Sequence, residues 1–156
     1  MSQVLEIYTD GSCRVSEGSG GWGVVILKDI NNPIKLSGRQ EETTNNRMEL
    51  QAAIEALKAA KDLAKEVKIY TDSRYVMDGF ERGYLKKWMS DGWVTSKGHP
   101  VKNQDQWVTL LDLTLGYSKV HWEWVKGHSG NRFIHPFCPY ILHKPSALNI
   151  LNVGSK

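Results

Sequence analysis

The sequence contains little cysteine and no long run of apolar residues. Only two of its 156 residues are cysteines, Cys13 and Cys138, and they form neither a metal-binding spacing nor a disulfide framework. We therefore expect a reduced, cytoplasmic setting. No apolar segment approaches the roughly 18 residues of a membrane span, and the first predicted strand begins too early for a signal peptide. We expect no membrane association.

Acidic residues and helix-forming patterns are missing from the C-terminal end. Glu123 is the only acidic residue after Asp112. Three of the five prolines fall within ten residues, at Pro136, Pro139 and Pro145. Prolines at this density exclude a helix. We therefore expect one domain in two parts, a well-patterned part over residues 1–130 and a divergent tail over residues 131–156.

The bulk composition is typical of a globular domain. Apolar residues make up 40% of the chain and charged residues 24%, and the length suits one domain with a sizeable core. The net charge of +3 permits a polyanionic partner but does not require one.

One tetrad occurs twice, as Ile7-Tyr8-Thr9-Asp10 and as Ile69-Tyr70-Thr71-Asp72. Each copy predicts a strand that delivers an aspartate at its C-terminal end, and Gly11-Ser12 is expected to break the first strand. Ligands gather at that edge of open α/β sheets. A single aspartate after a strand is most often a turn former, but two copies of one tetrad favour a functional pair.

The remaining pattern predicts an α/β domain with five strands. Beyond the first tetrad, the predicted strands are Trp22–Lys28, Ile34–Gln40 (antiparallel), Val67–Asp72 and Val120–Val125. The predicted helices are Arg47–Leu63, Tyr75–Phe80 and Asn103–Leu115, the last with Trp107, Leu110, Leu111 and Leu115 on one face. We expect loop over residues 14–21 and irregular structure over residues 84–102.

Glu49 lies in the first turn of a predicted helix, on a face that continues through small and apolar residues such as Ala52 and Ala56. An inward-facing carboxylate is costly unless it is paired. It could relieve the helix dipole, or it could converge with Asp10 and Asp72. Three such carboxylates would repel one another unless divalent cations neutralise them, and oxygen ligands suit Mg²⁺ or Mn²⁺. Two such ions form the clamp used in phosphodiester chemistry.

Two further stretches of the sequence could contact a nucleic acid. His128 lies in the glycine-flanked loop Gly127–Gly130, where it could approach a leaving group, although most loop histidines are only solvated. Residues 84–102 interleave lysines with tryptophans, a combination that suits a phosphate backbone beside a sugar or base. A surface helix whose tryptophans join the core is the other explanation of this stretch.

Taken together, the motifs resemble the bacterial type of ribonuclease H over residues 3–130. They appear in the family's order, and their combination is highly specific. The motifs are Tyr8–Ser12, Thr43–Leu50, Tyr70–Ser73, Gly92-Trp93 with Pro100–Asp105, and Trp124–Gly130.

The resemblance implies a five-stranded mixed sheet, with its first three strands antiparallel, flanked by helices. It also implies endonucleolytic hydrolysis of the RNA strand of RNA–DNA hybrids by two-metal-ion catalysis, which leaves 5′-phosphate and 3′-hydroxyl ends. The implied cofactor is Mg²⁺, or else Mn²⁺, as one or two ions. The expected partner is the hybrid, and we expect a monomer.

The resemblance also assigns roles to residues. Asp10, Glu49 and Asp72 are the implied metal ligands, with Asp10 bridging both ions, and His128 assists proton transfer or product release. The implied substrate contacts are Gly11, Ser12, Cys13, Thr44, Asn45, Asn46, Lys86, Lys87, Trp88, Trp93, Asn103 and Trp107. Among these, Thr44 and Asn103 match a pocket for a DNA-strand phosphate, and the lysines belong to a basic protrusion that grips the DNA strand.

The sequence departs from the family after Gly130. The family has a fourth carboxylate at the start of its last helix, and here no aspartate follows Asp112. Depending on loop length, His135 or Cys138 falls on that position, and Arg132 replaces a glutamate. Imidazole binds Mn²⁺ but suits Mg²⁺ poorly, so His135 is a candidate substitute ligand.

Two accounts explain this departure: natural divergence, or a shifted reading frame from about Gly130 onward. The abrupt loss of pattern favours the second. Under either account we expect weakened activity, and a missing or disrupted C-terminal helix. A hybrid-binding module without catalysis and another nuclease on the same fold are the rival interpretations.

Overall fold

The computed structural model describes residues 4–14, 18–29 and 31–125. Five strands form one mixed sheet in the order β3-β2-β1-β4-β5, in which β1, β2 and β3 are antiparallel and β4 and β5 run parallel to β1. The strands are β1 Leu5–Arg14, β2 Ser19–Leu27, β3 Ile34–Gln40, β4 Glu66–Thr71 and β5 Lys119–Trp124. The helices of the described residues are α1 Asn45–Ala60, α2 Arg74–Glu81, α3 Tyr84–Ser90 and α4 Gln104–Thr114. The predicted five-stranded mixed sheet is confirmed.

The two copies of the tetrad are direct neighbours in this sheet. β1 and β4 pair in parallel, and Ile7 lies opposite Ile69 while Tyr8 lies opposite Tyr70. The tyrosine rings stack with their centroids 4.3 Å apart. Because the copies are in register, the aspartates that end them emerge side by side.

The prediction that Gly11 and Ser12 break the first strand is wrong. β1 continues to Arg14, and its antiparallel pairing with β2 extends from Glu6 opposite Leu27 to Arg14 opposite Ser19. β2 accordingly begins at Ser19, within the stretch that we expected to be loop. The reason is that pairing with β2 is non-local and supplies hydrogen bonds that outweigh the local turn preference of a Gly-Ser pair.

Helix α1 covers the sheet face that carries Ile7. Its inward side is the predicted one, and Ala52, Ala53, Ala56 and Leu57 are all buried. They pack in a single core with the apolar side chains of the central strands. Helix α4 packs against α1, and α2 contacts α1, β4 and β5. Small alanine side chains let α1 lie close to the strands, which brings its N-terminal turn to the sheet edge.

The expectation of irregular structure over residues 84–102 is wrong in its first third. Helix α3 begins after Gly83, which has a φ of 74°, and the chain leaves it through Gly92, which has a φ of 76°. Glycine tolerates these left-handed conformations at helix ends at little cost. Beyond it, an isolated bridge joins Val94 and Pro100.

One detail of the last predicted helix is also wrong. Leu115 does not lie on the buried face, because it follows the end of α4 and 76% of its surface is exposed. Asn103 precedes α4 in a left-handed conformation, with a φ of 60°, and its side chain makes no capping hydrogen bond. Its amide is bonded elsewhere, as described below.

None of the four helices in the described part of the chain has the length and apolar composition of a membrane-spanning segment.

Glu42 offers a test of backbone strain. Its φ is 49°, its side chain is exposed, and an L-residue in this region costs about 1 kcal/mol. Glu42→Gly is expected to raise the free energy of unfolding by about 0.5–1 kcal/mol, measured by urea denaturation. Glu42→Ala removes the same charge but keeps the strain, so it should give no gain. Equal stabilities of the two variants would contradict the interpretation.

Candidate active site

Three carboxylates converge at one edge of the sheet. Asp10 lies within β1, Asp72 directly follows β4, and Glu49 lies in the first turn and a half of α1. One oxygen from each side chain can be chosen so that all three lie within 4.8 Å of one another. The convergence predicted from the sequence is therefore present, although Asp10 lies inside its strand and not at its end.

Gly11 makes this convergence possible. A Cβ atom built on Gly11 would lie 2.3 Å from the carbonyl carbon of Met48 and 2.5 Å from the backbone nitrogen of Glu49. Only a residue without a side chain lets the backbone of β1 approach α1 so closely. The contact lies between the residues next to Asp10 and Glu49, so it sets the separation of their carboxylates.

Burial governs the electrostatics of the cluster. Asp10 is 2% exposed and Glu49 8% exposed. Desolvation raises the pKa of Asp10 well above its ordinary value, and the charge of Asp72 raises it further. Desolvation and the charges of Asp10 and Asp72 likewise raise the pKa of Glu49. A backbone hydrogen bond from Gly11 offsets a part of both increases.

Two carboxylate oxygens of the cluster lack a partner. Asp10 Oδ2 and Glu49 Oε1 are buried and accept no hydrogen bond from the described residues. Unpaired buried carboxylate oxygens are costly, and bound cations are the usual compensation. An all-oxygen set of this kind fits a hard divalent cation such as Mg²⁺ or Mn²⁺. The cluster can therefore hold a metal ion.

The start of α1 is joined to the strand that carries Asp10. The backbone N–H of Cys13 donates to Asn45 Oδ1 at 2.6 Å, and the Cys13 thiol donates to the carbonyl of Thr43 at 3.3 Å. Thr44 caps the helix by accepting from the N–H of Arg47 at 3.2 Å. Asn46 is exposed beside Asn45. Of the predicted substrate contacts, those from Gly11 to Cys13 and from Thr44 to Asn46 thus line one continuous rim.

Arg47 connects this rim to the start of α4. Its guanidinium forms a bidentate ion pair with Asp105, at 3.1 and 2.9 Å, and also donates to Asn103 Oδ1 at 3.1 Å. The same guanidinium lowers the pKa of Asp105. Thr44 and Asn103, the predicted phosphate contacts, are therefore held near each other by one arginine that the sequence interpretation did not single out.

The predicted basic protrusion consists of α3 and the segment after it. Lys86 and Lys87 are exposed on α3 and form no ion pair with any described residue. Trp88 lies on the inner side of α3, with its ring 6.3 Å from that of Trp93. Tyr84 stacks on Trp88 at 5.9 Å. The protrusion thus combines exposed lysines with aromatic rings that pack against one another.

Trp107 does not lie at the surface, so the prediction of a substrate contact there is wrong. Its side chain is fully buried, and the ring of Trp88 packs against it edge-on at 5.6 Å. Gly79 makes room for it, because a Cβ there would lie 2.4 Å from the indole. Trp107 lies one helical turn after the start of α4, on the face that packs against α1 and α2. Its indole is therefore not accessible to a substrate. It supports the protrusion from below.

Besides Arg47, the structure adds two residues that the sequence interpretation missed. Arg74, which opens α2 two residues after Asp72, stacks on Trp124 with its guanidinium 4.3 Å from the ring centroid. Tyr75 bonds to the start of α4 through its hydroxyl group. Their position directly after the second tetrad and Ser73 is the signal that could have drawn attention to them. His128 and the candidate substitute His135 lie outside the described residues, as do Arg132 and Cys138.

Comparisons with known proteins show the family to which this chain is related. The family model for RNase H matches residues 2–135. Ribonuclease H of Caldanaerobacter subterraneus subsp. tengcongensis is 46% identical over 133 residues, which are 85% of this chain and 84% of that protein. Ribonuclease H of Erythrobacter litoralis is 48% identical over 127 residues, 81% of this chain and 85% of that protein.

A solved structure shares the fold. The crystal structure of LC9-RNase H1, a type 1 RNase H with the type 2 active-site motif, matches with a TM-score of 0.71 and 30% identity. The match covers 92% of this chain and 70% of that one.

A mixed five-stranded sheet with a buried carboxylate cluster at one edge defines an α/β enzyme with a candidate metal site. The chain belongs to the ribonuclease H family. Its relatives are ribonucleases H, so its class of enzyme is that of the endoribonucleases, which hydrolyse phosphodiester bonds. Members of this family act with divalent metal on RNA–DNA hybrids.

Proposed function

We propose that this protein hydrolyses the RNA strand of RNA–DNA hybrids and leaves 5′-phosphate and 3′-hydroxyl ends. The observation that carries the proposal is the convergence of Asp10, Glu49 and Asp72 within 4.8 Å, in a chain of the ribonuclease H family. The carboxylates and a phosphate group both carry negative charge and repel each other. The cluster therefore needs bound cations before a phosphate can approach it.

Asp10, Glu49 and Asp72 would hold the cofactor, for which we propose Mg²⁺, or Mn²⁺ in its place, as two ions. When bound, such ions neutralise charge on the phosphate and lower the pKa of a water molecule that attacks it. The chain's own contribution is orientation. Gly11 fixes the separation of Asp10 and Glu49, and burial keeps bulk water away from these two carboxylates. His128 is proposed to assist product release.

The first group of proposed substrate contacts belongs to the rim described above. Asn45 and Asn46 are exposed amides next to the carboxylates, and amides can read 2′-hydroxyl groups and base edges. Contacts to 2′-hydroxyls distinguish RNA from DNA. Thr44 and Asn103 are proposed to hold a phosphate of the DNA strand, and Arg47 holds the two residues near each other.

The function is tested with four labelled substrates of one sequence: three duplexes (RNA–DNA hybrid, RNA and DNA) and single-stranded RNA. In Mg²⁺ we expect cleavage of the RNA strand of the hybrid and of no DNA strand. Cleavage of duplex DNA would instead support another nuclease on this fold. Hybrid binding without any cut in Mg²⁺ or Mn²⁺ would support the hybrid-binding module.

We further propose that the activity is weaker than that of relatives with a fourth carboxylate. No aspartate follows Asp112 in this sequence, so the cluster lacks one acidic ligand of the family pattern. An assay beside the Caldanaerobacter enzyme should show a lower rate in Mg²⁺ and a smaller difference in Mn²⁺. Equal rates in Mg²⁺ would contradict this part of the proposal.

Lys86 and Lys87 offer a test of the protrusion. Each phosphate contact that a lysine makes contributes about 0.7–0.9 to the slope of log Kd against log salt concentration. Lys86→Ala/Lys87→Ala is therefore expected to weaken hybrid binding and to reduce this slope by about 1–2. The matched control is Lys61→Ala/Lys65→Ala, which removes two exposed lysines just after the C-terminal end of α1 and should leave the slope unchanged. An unchanged slope in Lys86→Ala/Lys87→Ala would show that these two lysines do not contact the phosphates of the hybrid.

A further inference from the structure

The hydroxyl group of Tyr75 lies at the centre of the polar contacts between α2 and the start of α4. It accepts from Asn103 Nδ2 at 3.1 Å and from Trp107 Nε1 at 3.0 Å, and it donates to the carbonyl of Lys102 at 3.4 Å. A hydroxyl has one proton and two acceptor positions, so these three contacts use all of them. The hydroxyl is therefore held in one orientation.

The amide of Asn103 is held from both sides. Its Oδ1 accepts from the guanidinium of Arg47, which can only donate, so the oxygen must point to Arg47 and the nitrogen to Tyr75. The nitrogen carries two N–H donors, and Tyr75 takes one of them. The second has no partner among the described residues, and Asn103 is partly exposed. One donor thus remains for a ligand.

Asn103 needs such anchors because of its place in the chain. It sits in a left-handed conformation before α4 and makes no capping bond that would fix its side chain. The terminal torsion of an asparagine is broad and roughly two-fold, so an amide with a single anchor rotates. A ligand that binds a rotating amide must first order it, which weakens binding.

We infer that Tyr75 is a positioning residue for the phosphate contact of Asn103. The inference rests on the proposed function, in which Asn103 binds a phosphate of the hybrid. Tyr75 belongs to α2, which starts beside Asp72 and is capped by Ser73 Oγ, the acceptor for the N–H of Val76 at 3.1 Å. The helix that begins beside the carboxylate cluster therefore also holds the amide that is proposed to bind the DNA-strand phosphate, so one rigid element connects the cluster to this phosphate contact.

The test is the Kd for a fluorescent hybrid without divalent ions, measured by anisotropy, so that nothing is cut. Tyr75→Phe keeps the ring, whose centroid lies 5.2 Å from that of Trp107, and removes only the hydroxyl. We expect the hybrid to bind about three- to tenfold more weakly, which is the effect of losing the one hydrogen bond by which Tyr75 anchors the Asn103 amide. Asn103→Ala should weaken it similarly, and Tyr75→Phe/Asn103→Ala should bind no more weakly than Asn103→Ala.

Tyr117→Phe is the matched control for a purely structural loss. Its hydroxyl donates to the carbonyl of Leu57, thirteen residues after Thr44 and so about 20 Å along α1. This variant should unfold at a lower temperature but bind the hybrid as the parent does. Parent-like binding by Tyr75→Phe would overturn the inference, and so would losses that add in the double variant. A parent that binds hybrid but cuts none contradicts the proposed function alone.

Discussion

Asp10→Asn is expected to abolish hybrid cleavage while it stabilises the metal-free protein. Cleavage should fall on the order of a thousandfold or more, because an amide cannot replace a charged metal ligand. The stability gain has a different cause. The folded protein holds Asp10 2% exposed and near the charge of Asp72, and both effects oppose ionisation.

The pH dependence of this stability follows from the same shift. The pKa of Asp10 is raised in the folded state, so its contribution to stability is present at acid pH and is lost as pH rises through the folded pKa. At neutral pH Asp10→Asn avoids that loss, and we expect its unfolding temperature to exceed the parent's by about 2–4 °C.

Calorimetry with and without Mg²⁺ checks this prediction. The ion should raise the unfolding temperature of the parent and leave that of Asp10→Asn nearly unchanged. Asp112→Asn, a change of an exposed aspartate on α4, is the matched control and should behave as the parent does in both measurements. An Asp10→Asn variant that still cuts, or that is less stable than the parent without metal, would contradict a metal role for this carboxylate.

Gly11→Ala is expected to have the largest combined effect on stability and activity. The added Cβ would meet the backbone of Met48 and Glu49 at 2.3 and 2.5 Å, where no flexible side chain can give way. β1 and α1 must then separate. We expect a loss of about 3 kcal/mol in the free energy of unfolding, and a displacement of Glu49 from Asp10 that lowers cleavage by about a hundredfold.

Gly116→Ala is the control for the intrinsic effect of a glycine-to-alanine change. The nearest atom to its added Cβ would be the Leu113 carbonyl oxygen at 3.4 Å, an ordinary contact. Its cleavage rate should match the parent's, and its free energy of unfolding should equal the parent's or exceed it by up to about 1 kcal/mol. If Gly11→Ala folded and cut as well as Gly116→Ala, the close approach of β1 to α1 would not set the geometry of the carboxylates.

The parts of the fold that sequence predicted best depend on local pattern. Strand β3 has the predicted bounds, and the inward face of α1 is the alanine-rich one. The carboxylate convergence was predictable because the tetrad occurs twice and each copy ends in an aspartate. Parallel pairing of the copies, Ile7 to Ile69 and Tyr8 to Tyr70, then places those aspartates together.

The parts that sequence did not predict depend on contacts between distant segments. β1 runs on through Gly11 because β2 pairs with it, and no local signal reports that pairing. α3 forms between two glycines with positive φ and lies on Trp107, which is itself buried by residues of α2. The hydroxyl contacts of Tyr75 span 27 to 32 residues and are likewise invisible in a local pattern.

The chemistry at the ends of the cut RNA tests the central claim most directly. We propose that Asp10, Glu49 and Asp72 hold metal ions, and that these ions activate the water molecule that attacks the phosphate. Mass spectrometry of the RNA fragments from a hybrid cut in Mg²⁺ should then show 5′-phosphate and 3′-hydroxyl ends. Attack by the neighbouring 2′-hydroxyl, which needs no such ions, would leave 2′,3′-cyclic phosphate and 5′-hydroxyl ends, and finding those would contradict the account.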